Sequence, residues 1–432
     1  MIPIDFKKST LDNGLRIIVV EHHEYPVVAV DLLVRAGSVD DPQGNDGLSS
    51  IVAQLLREGT REKDSFEIAD AIDFIGGTLS VDGDYDSTSI TASALAKNFT
   101  FILKMVSEVA RSPAFQPRDT EFQRDKSIAT ILREKDNKIS IGNRNFNQML
   151  YGMHPYGHPP IGTVSGLKSI KRGTILAFHK DHFLPNKSIL TVVGDINTAN
   201  VLATIEEVFG EWRREDREEI LLPPIDTIDG HRIRIVDKPD LTQTDIHIGH
   251  IGIKRTDPDY FPIVLLNYVL GRGPTSRLYT KLRAERGLTY GVTSTFDTRN
   301  LRGPFFIRTF SKNKSAIEAL QLVLDELEKI PLKGITQAEL DSAKSFYVGH
   351  FPLSIETPPQ IASKIIEQEF YGLPEDSITN YLEHINAVSL EEVNRAAKRV
   401  IDPRNLVVVL VSKAEDILDE AKVLGGVELR EP

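Results

Sequence analysis

The sequence predicts an α+β fold made of two homologous halves, each an antiparallel β-sheet packed with helices. Three observations lead to this prediction. The chain has 432 residues, 41% of them hydrophobic and 26% charged, which is ordinary for a globular protein but too long for a single core. Strand-like and helix-like hydrophobic spacing alternate along it. The same order of patterns then occurs a second time.

Two pairs of markers make the repeat visible. An apolar strand begins at Gly14 and again at Gly230. A proline-led turn precedes another apolar strand at Pro185 and again at Pro403. The two offsets are nearly equal, which indicates two copies of about 215 residues, a typical domain size.

The domain boundary follows from this repeat. We predict one domain over residues 1–212 and a second over residues 230–432. The stretch 213–229 between them is charged and then proline-rich, which is typical of a solvated linker.

The first half is predicted to contain, in order, two strands, two helices, a hairpin, long helices and a final strand. Valine- and leucine-rich runs predict strands, and apolar residues recurring every three or four positions predict helices. Alternation on both sides of a short acidic turn predicts the hairpin. The predicted elements are strands 14–20 and 27–35, helix 47–57, hairpin strands 78–84 and 87–94, helices 97–111 and 117–137, and strand 188–194.

The second half repeats this order. The same spacing rules apply, and the helices again lie between strand pairs. The predicted elements are strands 232–236 and 242–251, helices 258–270 and 276–285, strands 290–297 and 304–311, long helices between 314 and 400, and strand 406–411.

Composition excludes several classes of function. The net charge of −11 argues against binding to nucleic acid or to an anionic membrane, because both need a basic surface. The apolar runs are too short to span a bilayer. The chain has no cysteine, so disulfides and thiolate metal ligands are excluded. The first residues lack a secretory pattern, so we expect a cytoplasmic protein, or a periplasmic one if a leader has been removed.

Several short motifs lie in order along the chain: Arg35-Ala36-Gly37-Ser38, Gly47-Leu48, Glu58-Gly59-Thr60, His154-Pro155-Tyr156-Gly157 and Ser276-Arg277-Leu278-Tyr279. Together they resemble the insulinase/pitrilysin-type peptidases, the M16 family, especially the two-domain branch that includes mitochondrial processing peptidase subunits. The resemblance covers essentially the whole chain. It implies two domains of the LuxS/M16 metalloenzyme type.

In catalytic members of this family, the helix after the second strand carries the motif H-x-x-E-H. Two histidines four apart on one helix face share a zinc ion, and the glutamate acts as general base on the zinc-bound water. In this sequence Ser50 and Gln54 stand in the histidine places, and Ala53 stands in the place of the base. The flanking segments Gly47-Leu48 and Gly59-Thr60 match without a gap and set this register.

The family's third zinc ligand, a glutamate on a later helix, falls at Thr130 or at Ile131. The second half offers no replacement, since its equivalent positions fall near Leu266 in an apolar helix. The resemblance therefore implies no metal site and no cofactor in this chain. Zinc is instead expected on a partner subunit.

Family members also carry an arginine and a tyrosine, seven residues apart in the second half, which hold the substrate near the scissile carbonyl. Arg283 and Tyr290 match this pattern. A guanidinium and a phenol are suitable donors to a developing oxyanion. The alternative is a surface arginine on a helix and a strand tyrosine packed in the sheet.

The resemblance also implies a place for peptide. In this family an unfolded peptide adds as a strand to a sheet edge just after the motif helices, here Gly77, Thr78, Leu79 and Ser80. The alternative is that these residues form only a sheet edge. His179 and His182 have ligand spacing on a predicted helix, but we expect an exposed helix face there.

These observations lead to one hypothesis and two alternatives. The chain is expected to be the non-catalytic subunit of a heterodimeric zinc endopeptidase, supplying Arg283 and Tyr290 to an M16 partner that carries H-x-x-E-H and zinc. The first alternative is a structural or peptide-binding protein of the same fold with no role in proteolysis. The second is an active enzyme with a different metal site, which elemental analysis would detect.

Overall fold

The computed structural model describes residues 5–218 and 221–431. Within them, two six-stranded sheets are packed with helices, so the predicted α+β class is confirmed. The strands are β1 (Lys7–Thr10), β2 (Arg16–Glu21), β3 (Val27–Val34), β4 (Thr78–Gly83), β5 (Thr88–Leu95), β6 (Ser188–Gly194), β7 (Arg232–Asp237), β8 (Gln243–Ile251), β9 (Val292–Phe296), β10 (Pro304–Lys312), β11 (Val407–Ser412) and β12 (Val427–Arg430).

The helices lie between these strands in the predicted order. They are α1 (Leu48–Leu55), α2 (Ser65–Phe74), α3 (Phe99–Arg111), α4 (Pro117–Glu134), α5 (Lys138–Tyr151), α6 (Val164–Ser169), α7 (Arg172–His182), α8 (Thr198–Phe209), α9 (Tyr260–Asn267), α10 (Arg277–Tyr279), α11 (Ala316–Lys333), α12 (Gln337–His350), α13 (Pro358–Tyr371), α14 (Tyr381–Ala387), α15 (Leu390–Val400) and α16 (Leu418–Ala421). π-helical turns at Tyr268–Arg272 and Thr280–Glu285 follow α9 and α10.

The two sheets have nearly the same strand order. The first runs β1-β2-β6-β3-β5-β4 and the second runs β12-β7-β11-β8-β10-β9. Five strands correspond one to one, as the repeat in the sequence predicts. The sixth differs, because an N-terminal strand covers β2 and a C-terminal strand covers β7.

The prediction of antiparallel sheets is wrong at one pairing in the first sheet and at two in the second. β6 runs parallel to β2, and both β11 and β12 run parallel to β7. Helices lie in the chain between the two strands of each pair, which allows the crossover that parallel pairing needs. Both sheets are therefore mixed. The predicted hairpin is antiparallel, with Thr78 opposite Ser93 and Gly83 opposite Thr88.

Alternation along the strands places one face of each sheet in a core. In β3, Val30 and Leu32 are buried with the apolar side of α3, while Asp31 between them faces the other way. In β8, Ile246 and Ile248 occupy the equivalent core positions.

The compact units differ from the two halves of the sequence. The first unit comprises Met1–Ile131, His158–Leu222 and Phe351–Asn380. The second comprises Leu132–Gly157, Pro223–His350 and Tyr381–Pro432. The first unit thus takes α13 from the second half, where it packs on β3 and β6, and the second unit takes α5, which packs on β8 and β11. The boundary at 213–229 stays a prediction about the duplication.

None of the helices in the described ranges has the length and apolar content that a membrane span requires.

Candidate functional site

The helix that holds the motif positions begins at a tightly built turn. Gly47 has a left-handed backbone (φ 98°), and an added Cβ would lie 2.6 Å from the carbonyl oxygen of Ile161. The carboxylate of Asp41 accepts hydrogen bonds from the backbone N–H groups of Gly47 and Ser49, both at 2.7 Å. Burial raises the pKa of Asp41 to about 7, although these two N–H groups oppose the shift. The cap and the glycine together set the direction of α1.

Neutral side chains linked by hydrogen bonds occupy the motif positions. The amide Nε2 of Gln54 donates to Oγ of Ser50 at 3.2 Å. The hydroxyl of Ser127 on α4 donates to Oε1 of Gln54 at 3.4 Å. Ala53 is 2% exposed and packs against Gly83 of β4, where an added Cβ would come within 3.2 Å of the alanine methyl. These contacts tie α1 to α4 and to β4.

The structure brings Ser50, Gln54 and Ser127 together but leaves Thr130 outside the network. The Thr130 hydroxyl donates to the carbonyl of Lys126 on its own helix, at 3.0 Å. Ser127 was not singled out from the sequence. The signal was present, because polar residues recur on one buried stripe of α4 at Thr120, Gln123 and Ser127.

The residue types at this site do not fit a zinc ion. Zinc in proteins is held by imidazole, thiolate or carboxylate groups, and here the facing groups are two hydroxyls and an amide. Ala53 has no group that accepts a proton. Across residues 5–218 and 221–431, no three histidine, aspartate or glutamate side chains lie close enough to hold a metal ion.

Arg283 and Tyr290 meet in the second unit. The helix that begins at Arg277 continues as the π-helical turn Thr280–Glu285, and Gly287 (φ 62°) then reverses the chain. The N–H of Leu288 donates to the carbonyl of Leu282 at 2.8 Å and closes this reversal. Arg283 Nη1 then reaches the carbonyl oxygen of Tyr290 at 3.0 Å.

Both side chains are open to solvent, since the Tyr290 side chain is 77% exposed and Arg283 is also exposed. The guanidinium carbon of Arg283 lies 5.0 Å from the ring centroid of Tyr279. This cation–π contact was missed from the sequence, although the i, i+4 spacing of the two residues on a helix was a usable signal.

The predicted peptide-binding residues lie at a sheet edge. β4 is the last strand of the first sheet and pairs only with β5 within the described residues. Leu79 faces the core, whereas Thr78 and Ser80 bond hydroxyl groups on β5 at 2.8 and 3.3 Å. Gly77, just before the strand, donates its N–H to the carbonyl of Ile72. The outer side of β4 is available for another strand.

The expectation of an exposed face at His179 and His182 is wrong. His179 Nε2 donates to the carbonyl of Ala110 at 2.8 Å, and its ring stacks on Phe183. Burial lowers the pKa of His179 to about 4. His182 stacks on Phe178. Both rings pack inside the first unit, because α7 turns its aromatic side toward neighbouring elements.

Comparisons with known proteins agree with this architecture. Residues 16–164 match the family described as insulinase (peptidase family M16), and residues 169–347 match the family described as peptidase M16 inactive domain. An uncharacterized zinc protease of Mycobacterium leprae is 26% identical over 401 residues, which cover 92% of this chain and 89% of that protein. The non-peptidase homolog YmxG of Helicobacter pylori is 25% identical over 399 residues, covering 92% of this chain and 91% of the relative.

A solved structure is similar to this chain over nearly its whole length. The crystal structure of a peptidase M16 inactive domain from Pseudomonas fluorescens superposes with a TM-score of 0.89 at 25% identity. It covers 95% of this chain and 98% of that one. The similarity therefore extends over both halves.

Proposed function

Because this chain belongs to the M16 family of insulinase-type peptidases, we propose that it is the non-catalytic subunit of a heterodimeric zinc endopeptidase. Its partner is an M16 homologue with an intact H-x-x-E-H motif, which carries the zinc. The substrate is an unfolded peptide. The complex acts in the cytoplasm, or in the periplasm if a leader is removed.

One observation carries the proposal. The places of the zinc ligands and the base hold Ser50, Gln54 and Ala53, whereas the exposed pair Arg283 and Tyr290 keeps the family pattern. A chain with the substrate-holding pair but without a water-activating group supplies only part of an active site. The partner supplies the rest.

The chemistry of the pair suits this role. Within the described residues, the bond to the Tyr290 carbonyl is the one hydrogen bond of the Arg283 guanidinium, so its other N–H groups are available. The Tyr290 side chain is exposed as well. A guanidinium and a phenol stabilise a carbonyl oxygen as it gains negative charge during peptide attack.

Overall similarity does not distinguish an enzyme from an inactive homologue here. A relative named as a zinc protease and one named as a non-peptidase homolog are 26% and 25% identical to this chain. The residues of α1 are more informative, because general-base chemistry needs a group that accepts a proton.

Reconstitution tests the proposal. The purified chain is mixed with an M16 homologue from the same genome that carries H-x-x-E-H, and cleavage of an unfolded peptide is followed. We expect no cleavage by this chain alone and cleavage by the mixture. Arg283→Ala or Tyr290→Phe should lower kcat/KM of the mixture by roughly 10²-fold, the usual cost of losing one oxyanion donor.

Matched controls separate this role from surface effects. Arg286→Ala removes an exposed arginine three residues away, and Tyr25→Phe alters another exposed tyrosine. Neither should change kcat/KM. If Arg283→Ala leaves cleavage unchanged in an active mixture, the assigned role of the pair is wrong.

A second candidate function is peptide binding without proteolysis. The free outer edge of β4 favours it, since an added strand would gain backbone hydrogen bonds there. Binding of an unfolded peptide to the chain alone, together with no cleavage in any mixture, would favour this function. A neighbouring gene for an intact H-x-x-E-H homologue would favour the heterodimer.

A further inference from the structure

A cluster of four charged side chains around the buried Glu326 anchors the helix that presents Arg283. The cluster consists of Arg277 and Lys281 on that helix, Glu326 on α11 and Glu339 on α12. None of the four stood out from the sequence as a group. They come from three elements, and their charges balance.

The contacts within the cluster are specific. Arg277 donates Nε and Nη2 to the two oxygens of Glu339, at 2.6 and 2.7 Å. Its Nη1 donates to Oε1 of Glu326 at 3.2 Å, and Nη2 also reaches the carbonyl of Gly334 at 3.0 Å. The Lys281 ammonium group pairs with the other oxygen of Glu326. A guanidinium held on two sides in this way has one orientation.

The burial of Glu326 makes its pairing with cations necessary. Glu326 is 1% exposed, and a buried carboxylate is tolerated only when cations pair with it. Burial alone would raise the pKa of Glu339, but hydrogen bonds from Arg277 and from the backbone N–H of Thr336 lower it to about 2. Glu339 is therefore expected to stay charged at neutral pH.

Two faces of this helix make different contacts. Arg277 and Lys281, four residues apart, hold the inner face against α11 and α12. Tyr279 and Arg283, also four apart, form the outer face, with the guanidinium over the ring. The π-helical turn Thr280–Glu285, which contains Lys281 and Arg283, is a rare geometry that changes the direction of its side chains relative to a regular α-helix.

We propose that Arg277 and Glu339 are positioning residues for Arg283. The charge cluster fixes the rotation of the helix, and the π-helical turn that contains Arg283 directs its guanidinium to the Tyr290 carbonyl. This inference rests on the proposed function of Arg283 and Tyr290. As positioning residues, Arg277 and Glu339 act through Arg283 and do not touch substrate.

A double-mutant cycle in the reconstituted mixture tests the proposal. Arg277→Lys keeps the charge but loses the two-pronged grip on Glu339, and Glu339→Gln keeps the shape but loses the charge. Each should lower kcat by about tenfold with little change in KM, because a misaimed donor weakens transition-state contacts most. In an Arg283→Ala background, each should cause no further loss.

Controls and contrary outcomes are distinct. Glu318→Gln alters an exposed carboxylate that lies 3.7 Å from Arg286, and it should leave kcat unchanged. Circular dichroism confirms that each variant is folded. If Arg277→Lys lowers kcat equally with and without Arg283, the positioning role is overturned. If Arg283→Ala itself has no effect, the proposed function fails instead.

Discussion

Strands β3 and β8 hold the same place in their two sheets, yet they bury polar side chains in different ways. Asp31 of β3 lies between Thr191 and Thr91 on the neighbouring strands. His247 of β8 holds the equivalent place and lies beside Arg308. Both residues point away from the main core and toward the face covered by a helix from the other half.

In the second unit the buried polar groups satisfy one another. His247 Nε2 donates to Asp245 at 2.6 Å, and Arg308 donates to both oxygens of that carboxylate, at 3.2 and 3.3 Å. Burial opposes the charge on Asp245, but the bonds from His247 and Arg308 hold its pKa below the usual value.

In the first unit the buried carboxyl group of β3 lacks such partners. Asp31 is 6% exposed, and its Oδ1 has no hydrogen-bond partner in the described structure. The hydroxyl of Thr191 beside it is also unsatisfied. Burial therefore raises the pKa of Asp31 to about 7. Duplication copied the backbone position, whereas the cost of a buried polar group depends on its neighbours.

The helices that cover these two sheet faces, α13 and α5, also make different contacts. α13 is tied to the first sheet at its rim, where Glu369 pairs with Arg16 and with Lys8, both at 3.0 Å. α5 packs directly onto the buried histidine of the second sheet through Gly142. Both helices pack on their sheets. The first unit adds partly exposed ion pairs to this packing, whereas the second places its helix directly against a buried histidine.

Gly142→Ala is expected to disrupt the packing of α5 against His247. Of the substitutions considered, it should lower the free energy of unfolding most. An added Cβ would lie 2.1 Å from Nε2 of His247, whose ring is held by Asp245. We expect a loss of about 1–3 kcal/mol in the free energy of unfolding, measured by chemical denaturation. Gly349→Ala on α12 is the control, since an added Cβ there meets nothing within 4 Å. Equal stability of the two variants would contradict the close packing.

Asp31→Asn tests the contrast between Asp31 and Asp245 through the pH dependence of the free energy of unfolding. The folded-state pKa of Asp31 is raised to about 7, above an unfolded value of about 3.9, so the folded protein binds more protons between these values. The contribution of Asp31 to stability is therefore favourable at low pH and is lost as pH rises through about 4 to 7, by at most about 1.4 kcal/mol per pH unit. Chemical denaturation from pH 5 to 8 should show that the free energy of unfolding of the variant increases relative to that of the wild type as pH rises. Parallel curves would mean that Asp31 is paired.

The smallest effect concerns α1, where the first unit does pair its polar groups. Gln54→Ala and Ser127→Ala should each cost about 1 kcal/mol, and the double variant should cost less than the sum, because both remove the same hydrogen bond. Thr130→Ala is the control, since that hydroxyl bonds only within its own helix. Additive losses at Gln54 and Ser127 would show that the two residues do not interact.

Much of the site could be predicted from sequence, and the rest depended on geometry between elements. The register of Ser50 and Gln54 was set by the flanking pairs Gly47-Leu48 and Gly59-Thr60, which are near in the sequence. Ser127 could not be chosen over Thr130 by counting, because the relative rotation of α1 and α4 depends on how the helices pack. Arg277 lies in one of the sequence motifs, but its partners Glu326 and Glu339 lie 49 and 62 positions away along the chain.

The class of fold, the duplication, the hairpin of β4 and β5, and the absence of metal-binding side chains from α1 could all be predicted without a structure. Each of these depends on hydrophobic period or residue type, which are local properties. Tertiary structure alone decided that α5 and α13 belong to the sheet of the other half, and that Asp31 is buried without the partners that Asp245 has. An amphipathic pattern shows that a helix must bury one face, but only packing of the whole chain selects the surface that receives it.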